Sequence, residues 1–246
     1  MAKKGRRMGR KYSYADQKNH QHRLLWIILG ILAFFIIYSV FSTLAFSMWV
    51  LENGSMAPSL HPGDRFIVSS YAIYSYIPGF ILERRNPPVP RGSIVLVDMN
   101  KGEKPHFFYR ILDSVVRFFT AQRVNLLAEK DYLFMKRVIG LPGDEISMTN
   151  YVVRVRIKGS AYNLTEFELT EQDYTPDIPQ MPALWDSSIP FSGNMDLTIL
   201  GENEYFVLSD DRSNTNDSRT WGPVSLGSIT GRAIFRYWPL TRLGRP

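Results

Sequence analysis

From Leu24 to Leu51 the chain carries no charged residue, and Leu24–Phe46, LLWIILGILAFFIIYSVFSTLAF, is almost wholly apolar. No other feature limits the fold so sharply. About 20 helical residues cross the hydrocarbon core of a bilayer, so the run is long enough to span it. An uninterrupted apolar stretch of this length is rarely a buried helix of a water-soluble domain. Thr43-Leu44-Ala45 offers small residues where a leader could be cut. The apolar core of a signal peptide, however, runs only about 7–15 residues. The reading is one uncleaved transmembrane anchor over residues 24–47.

Charge gives the anchor a direction. The 246 residues hold 29 Lys+Arg and 23 Asp+Glu, a net +6. Eight of the basic residues (Lys3, Lys4, Arg6, Arg7, Arg10, Lys11, Lys18 and Arg23) precede the anchor with a single acid, Asp16. That leaves 21 basic and 22 acidic residues beyond it, a body of −1 behind a tail of +7. The positive-inside rule puts residues 1–23 in the cytoplasm and everything after about Trp49 outside. Arg6-Arg7 belongs to this flank and needs no twin-arginine export signal to explain it. A basic tail beside an anchor suits anionic lipid headgroups, so membrane lipid is the expected partner and nucleic acid is not.

The body after the anchor reads as mostly β. Short β-branched and aromatic runs (Arg65–Val68, Ser93–Val97, Tyr132–Ile139, Tyr151–Ile157, Tyr205–Leu208, Ala233–Trp238) alternate with turn signals such as His61-Pro62-Gly63-Asp64, Leu141-Pro142-Gly143-Asp144 and Trp221-Gly222-Pro223. Ile111–Glu129 is the one helical candidate, packed in the core or lying on the membrane surface. Tyr174–Phe191 is Pro-rich and reads as a loop. With no Cys in the chain, a disulfide scaffold, a thiolate nucleophile and Cys-ligated zinc are excluded.

Several residues could carry chemistry. In Asn53-Gly54-Ser55-Met56-Ala57-Pro58-Ser59-Leu60, Gly54 permits a sharp bend and Pro58 restrains the chain after it. Ser55 could present its hydroxyl and its own N–H toward one point, or the segment could be a plain turn. A serine nucleophile needs a base. His20 and His22 lie before the anchor, and His61 and His106 sit in turn or exposed settings that do not suggest a triad. Lysine serves as base when burial penalises its ammonium form. Strand alternation in Leu133-Phe134-Met135-Lys136-Arg137-Val138-Ile139-Gly140 puts Lys136 on the face of Phe134 and Val138, with Arg137 on the other. Lys136 is then either a buried amine or an edge-strand lysine whose head reaches water. Asp210, Asp211 and Asp217 in Ser209–Arg219 have the look of a calcium loop, but Arg212 and Arg219 within it favour internal ion pairs and a rigid turn. No metal or cofactor is expected.

Together these segments resemble the bacterial type I signal peptidases, the membrane-anchored Ser/Lys proteases. The order matches: anchor, serine box with Gly63-Asp64, Arg91-Gly92-Ser93-Ile94-Val95, Lys136–Asp144, Ser209–Arg219 with Trp221-Gly222-Pro223, and Gly231-Arg232-Ala233. The resemblance implies Ser55 as nucleophile, Lys136 as general base, and the Ser55 N–H and the Asn53 side-chain amide as oxyanion donors. It implies that Thr215 orients the lysine amine, that Asp210, Arg212, Asp217 and Arg219 brace the site by ion pairing, and that Leu51, Met56, Leu60, Phe134 and Met135 wall pockets for small side chains. Ser209 stands where the family usually has glycine, and Asp211 and Ser213 replace the usual Asn and Asp. The implied fold is two antiparallel β regions after one N-terminal transmembrane helix: a catalytic core of residues 48–144 and 202–246, and a smaller inserted β domain of residues 145–201. The implied partners are the signal peptides of exported preproteins, and the resemblance admits the protein translocation machinery as another. Two rivals stand beside this reading. Self-cleaving regulatory repressors share the Ser/Lys arrangement, but they are soluble. A catalytically inactive, membrane-anchored binding or scaffold protein of the same fold would tend to lose Ser55 or Lys136, and both are present.

Overall fold

The computed structural model describes residues 14–71, 89–99, 109, 112, 113, 116, 132–170, 174–180 and 193–246. The candidate helix Ile111–Glu129 lies outside the described residues apart from Leu112, Asp113 and Val116, as do Lys3 to Lys11, His106 and residues 181–191 of the Pro-rich stretch. The chain divides into two compact units at Phe41/Ser42.

Helix α1 runs without a break from Tyr14 to Ala45. Its segment Asn19–Tyr38 is long and apolar enough to cross a membrane, and none of that segment is buried. The helix starts upstream of the apolar run because Ala15, Gln17 and Lys18 are good helix formers. It stops two residues short of the expected anchor end, since Phe46 and Ser47 open strand β1 (Phe46–Val50).

The body is built on two antiparallel sheets. Beyond β1, the first contains β2 (Arg65–Ser70), β3 (Ile94–Asp98), β4 (Leu133–Gly140), β9 (Glu204–Leu208), β10 (Val224–Ser225) and β11 (Ile229–Trp238), in the order β1-β2-β11-β3-β4-β9-β10. The second contains β5 (Glu145–Thr149), β6 (Val152–Arg156), β7 (Asn163–Thr165) and β8 (Met195–Ile199), in the order β7-β6-β5-β8. Two short helices matter for the site: α2 (Glu166–Leu169) and α3 (Ser218–Trp221).

Side-chain alternation sorts β3 and β4 between separate cores. Ile94, Leu96 and Met135 join Leu51, Met56, Leu60, Phe66 and Val68. Val95, Val97 and Val138 join Tyr205, Val207 and Val224 on the opposite face. A third core, around Ile139, Ile146, Val153 and Phe206, binds the two sheets together. Gly140 sits where they meet. A Cβ there would lie 2.1 Å from Ile146 Cδ1 and 2.9 Å from Phe206 Cβ, so only glycine allows this approach.

The hairpin between β5 and β6 turns at Asn150 and Tyr151, both with positive φ (51° and 65°). The run read as a strand from Tyr151 therefore starts at Val152. A tyrosine in the left-handed region is unusual. Its buried ring lies against Gly193, whose missing Cβ would sit 2.5 Å from that ring, and its N–H donates to Gly193 O at 2.7 Å.

Candidate active site

Ser55 lies in the loop between β1 and β2. Leu51 N donates to Asp64 O (2.9 Å) and Gly63 N to Leu51 O (2.7 Å), closing the loop at its base. Leu51, Met56 and Leu60 pin it from beneath as members of one core. The bend itself is held by Ala57 N to Gly54 O (2.9 Å) and Leu60 N to Met56 O (2.8 Å). Gly54 is not needed for it. Its φ is not left-handed and a Cβ there would meet nothing within 4 Å, so this glycine leaves open space beside the serine. Ser55 is 3% exposed. Its hydroxyl donates to Asn53 Oδ1 at 2.8 Å and its N–H to the same oxygen at 3.2 Å. The exposed Asn53 thus turns its acceptor, and not its amide N–H, toward the serine.

Lys136 is 1% exposed on β4, which lies between β3 and β9 in the interior of the sheet. The edge-strand alternative is therefore excluded. Its Nζ donates to Ser209 Oγ at 2.8 Å. The amine also faces the Phe134 and Trp221 rings, at 6.0 and 5.9 Å from their centroids, and those rings pack 5.3 Å apart. Burial lowers its pKa from 10.5 to about 8, with Arg219 reinforcing the fall and Asp217, Asp210 and Asp211 opposing it. Ser209, Asp210 and Asp211 link the two candidate residues. The first accepts from Lys136, and the third donates its N–H to Ser55 O at 3.1 Å. A two-residue step spans at most about 7 Å, so Ser55 and Lys136 are held in one neighbourhood.

Asp217 frames this segment. Its carboxylate accepts the Ser209 N–H (2.9 Å) and the Arg219 guanidinium (2.7 and 2.9 Å). Burial pushes the Asp217 carboxyl up, but Arg219 and the two backbone N–H groups outweigh it and hold it below the usual range. Asp210 takes a two-pronged bond from Arg137, at 2.8 and 2.6 Å. Arg137 also reaches Gly92 O and Ser59 Oγ and lies over the Tyr174 ring at 4.1 Å, so it ties β4 to the serine loop. Asp211 caps Ser213. In the loop with the look of a calcium site, Asp210 and Asp217 thus hold arginines and Asp211 holds Ser213.

Arg212 departs from the expected internal pairing. Its carboxylate partner is Glu166 of α2, and both are fully buried. Tyr174 donates its hydroxyl to the same carboxylate, and burial together with the Glu166 charge pushes that hydroxyl's pKa up. The backbone of Asp177 pairs with Asp210 and Arg212, so part of the stretch read as loop lies along the Ser209–Arg219 segment. Glu166 and Tyr174 were not singled out in the sequence. Thr165 followed by Glu168 is a helix-start signal just before them, but nothing local marks their partner.

The remaining candidates separate. Leu51, Met56, Leu60 and Met135 are fully buried in one core, while Phe134 is half-buried on the other face of β4. Thr215 accepts through its carbonyl from Asp217 N and from the Thr220 hydroxyl, and among the described residues its own hydroxyl makes no hydrogen bond. His61 meets Arg242, not Ser55. A cavity of about 500 Å³ opens on the Arg137 side, lined by Pro58, Ser59, Tyr174 and Arg245 among others. It includes neither Ser55 nor Lys136.

Residues 22–238 match the family described as signal peptidase, peptidase S26. Signal peptidase I of Leptolyngbya laminosa is 30% identical over 194 residues, covering 79% of this chain and 70% of that protein. Signal peptidase I of Streptococcus pneumoniae R6 is 33% identical over 129 residues, 45% of this chain and 63% of that protein. Signal peptidase IB of Staphylococcus aureus Mu50 is 24% identical over 220 residues, 89% and 91% of the two chains.

Proposed function

The chain belongs to the signal peptidase family S26, and on that premise we propose that it removes N-terminal signal peptides from exported preproteins with Ser55 as nucleophile and Lys136 as general base. The observation that carries the residue assignment is the buried Lys136 amine, which has a pKa near 8 and shares a three-residue segment with the Ser55 loop. A lysine at its ordinary pKa would be almost wholly ammonium near neutrality and could not accept a proton. This one is in part a free amine.

Neutral Lys136 takes the Ser55 hydroxyl proton as Oγ attacks the scissile carbonyl. The carbonyl oxygen becomes an oxyanion facing the Ser55 N–H and the Asn53 side chain. In the resting site Asn53 Oδ1 holds both the Ser55 hydroxyl and its N–H, so an incoming carbonyl displaces that oxygen and Asn53 turns its Nδ2–H inward. Losing one oxyanion donor typically costs about 3–4 kcal/mol of transition-state stabilisation. The Lys136 ammonium then gives its proton to the leaving amine, expelling the mature protein and leaving the signal peptide as an ester on Ser55. The regenerated amine draws a proton from water, whose hydroxide attacks that ester, and Ser55 recovers its hydrogen. Open space beside Gly54 admits the substrate backbone. The half-buried Phe134 is the candidate wall for a small side chain, and the buried Leu51, Met56, Leu60 and Met135 support the loop from below.

Helix α1 anchors the protein in a membrane. The basic tail orients it with the N-terminus in the cytoplasm and the body outside, in the cell membrane. Cleavage of a preprotein in liposomes by Ser55→Ala and Lys136→Ala tests the assignment. Each variant should unfold at nearly the wild-type temperature while processing falls to background. Full processing by either would remove that residue from the mechanism.

A further inference from the structure

Among the described residues the amine of Lys136 has one hydroxyl partner, and it belongs to Ser209. We propose that Ser209 is the positioning residue for the general base, supplying the contact that the family resemblance assigns to Thr215. The inference rests on the Ser55/Lys136 reading and deepens it.

Ser209 is fully buried, immediately after the end of β9, whose Leu208 pairs with Arg137 on β4. That register brings the start of the segment alongside the lysine. The Ser209 backbone is fixed in turn, because its N–H is bound by Asp217 Oδ2, which Arg219 clamps. The hydroxyl therefore sits at a rigid point, 2.8 Å from Nζ. Thr215 lies six residues further along and turns its carbonyl to Asp217 N and to the Thr220 hydroxyl. A glycine at 209 would leave the amine without this acceptor.

A neutral lysine amine has two N–H bonds and one lone pair. Left to rotate about Cε–Nζ, it aims the lone pair at a serine only part of the time. Donating one N–H to Ser209 Oγ, with the Phe134 and Trp221 rings against it, restricts that rotation. The same bond persists in the ammonium form, where it is stronger because the donor is charged. Ser209 therefore holds Nζ in place both before and after the proton moves. Removing its hydroxyl weakens the ammonium more than the amine, so the acid limb of the rate profile should move to lower pH.

The test compares purified full-length wild type, Ser209→Ala, Thr215→Val and Lys136→Ala on a preprotein in liposomes, with kcat and KM measured across pH and unfolding temperatures in parallel. Ser209→Ala should lose roughly tenfold in kcat, the scale of one buried hydrogen bond, with KM within about twofold, its acid limb shifted downward and its unfolding temperature nearly kept. Thr215→Val should lose less. A kcat for Ser209→Ala within about twofold of wild type and an unmoved acid limb, beside an inactive Lys136→Ala, would overturn the role of Ser209 and leave the dyad standing. A loss in Ser209→Ala with an unmoved acid limb and a lowered unfolding temperature would count against positioning, as would a larger kcat loss in Thr215→Val. An active Lys136→Ala would instead remove the dyad itself.

Discussion

Lys136 and Arg137 are neighbours on one strand, 1% and 3% exposed, and burial treats them in opposite ways. On the Arg137 side the cation meets a carboxylate with two parallel bonds, a carbonyl, a serine hydroxyl and an aromatic face. Five donors in a planar fork suit such a cage, and a guanidinium does not give up its proton. On the Lys136 side the amine meets the Ser209 hydroxyl and two ring faces, with the nearby Asp210 and Asp217 already engaged by arginines and Asp211 by Ser213. There burial is not matched by an ion pair, and the proton becomes easy to remove. One step along a strand is enough to separate a cation held by a carboxylate from an amine whose pKa burial lowers.

The sharpest way to break this contrast is to make both cations alike. Lys136→Arg keeps a positive charge but cannot act as base, so preprotein cleavage should fall by roughly a thousandfold or more. Measurable turnover near the wild-type rate would show that proton acceptance at 136 is not required. Arg137→Met attacks the other side. It strands the buried Asp210 carboxylate, and urea unfolding should show a loss of about 3–5 kcal/mol. A loss below about 1 kcal/mol would mean that Asp210 finds another partner.

The third prediction uses the sign of the lysine shift. The folded pKa lies below the unfolded one, so the unfolded chain binds more protons between pH 8 and 10.5 and folding becomes more favourable as pH rises through that window. Wild type should therefore gain roughly 3 kcal/mol relative to Lys136→Met between about pH 7 and pH 10.5. Below about pH 8 the methionine variant, with no amine to bury, should be the more stable of the two. Parallel pH–stability curves for the two proteins would refute the depressed lysine.

Part of this was legible in the sequence. Alternation put Lys136 on the face of Phe134 and Val138 and left its amine either buried or reaching water, and the six strand runs fell on real strands. Whether β4 was an edge or an interior strand could not be read, because that depends on β3 and β9 pairing from elsewhere in the chain. The first two residues of strand β1 were absorbed into the apolar anchor, since Phe46-Ser47-Met48-Trp49-Val50 continues it without a charged residue. Strands β5, β7, β8 and β10 were missed for other reasons. β7 and β10 are only three and two residues long, burial along β8 gives no alternation to detect, and β5 buries just Ile146 and Met148 among Glu145, Ser147 and Thr149. In the site, the polar box Ser209–Arg219 was visible as arginines among acids, but not its outside partner. Glu166 is one acid in an acidic stretch, and only tertiary packing sets it against Arg212. Ser209 read only as a departure from the family's usual glycine, because a contact across two strands leaves no local trace.

The Arg212–Glu166 pair has a consequence for anyone wishing to build a smaller version of this protein. The loop beneath the lysine leans on a helix that belongs to the neighbouring sheet. Cutting away that sheet would leave a guanidinium sealed in a dry interior with no counter-ion, and the loop would have to reopen to hydrate it. The second sheet is thus a foundation of the Ser209–Arg219 loop, and a minimal enzyme would need either to keep it or to rewrite position 212 as something apolar.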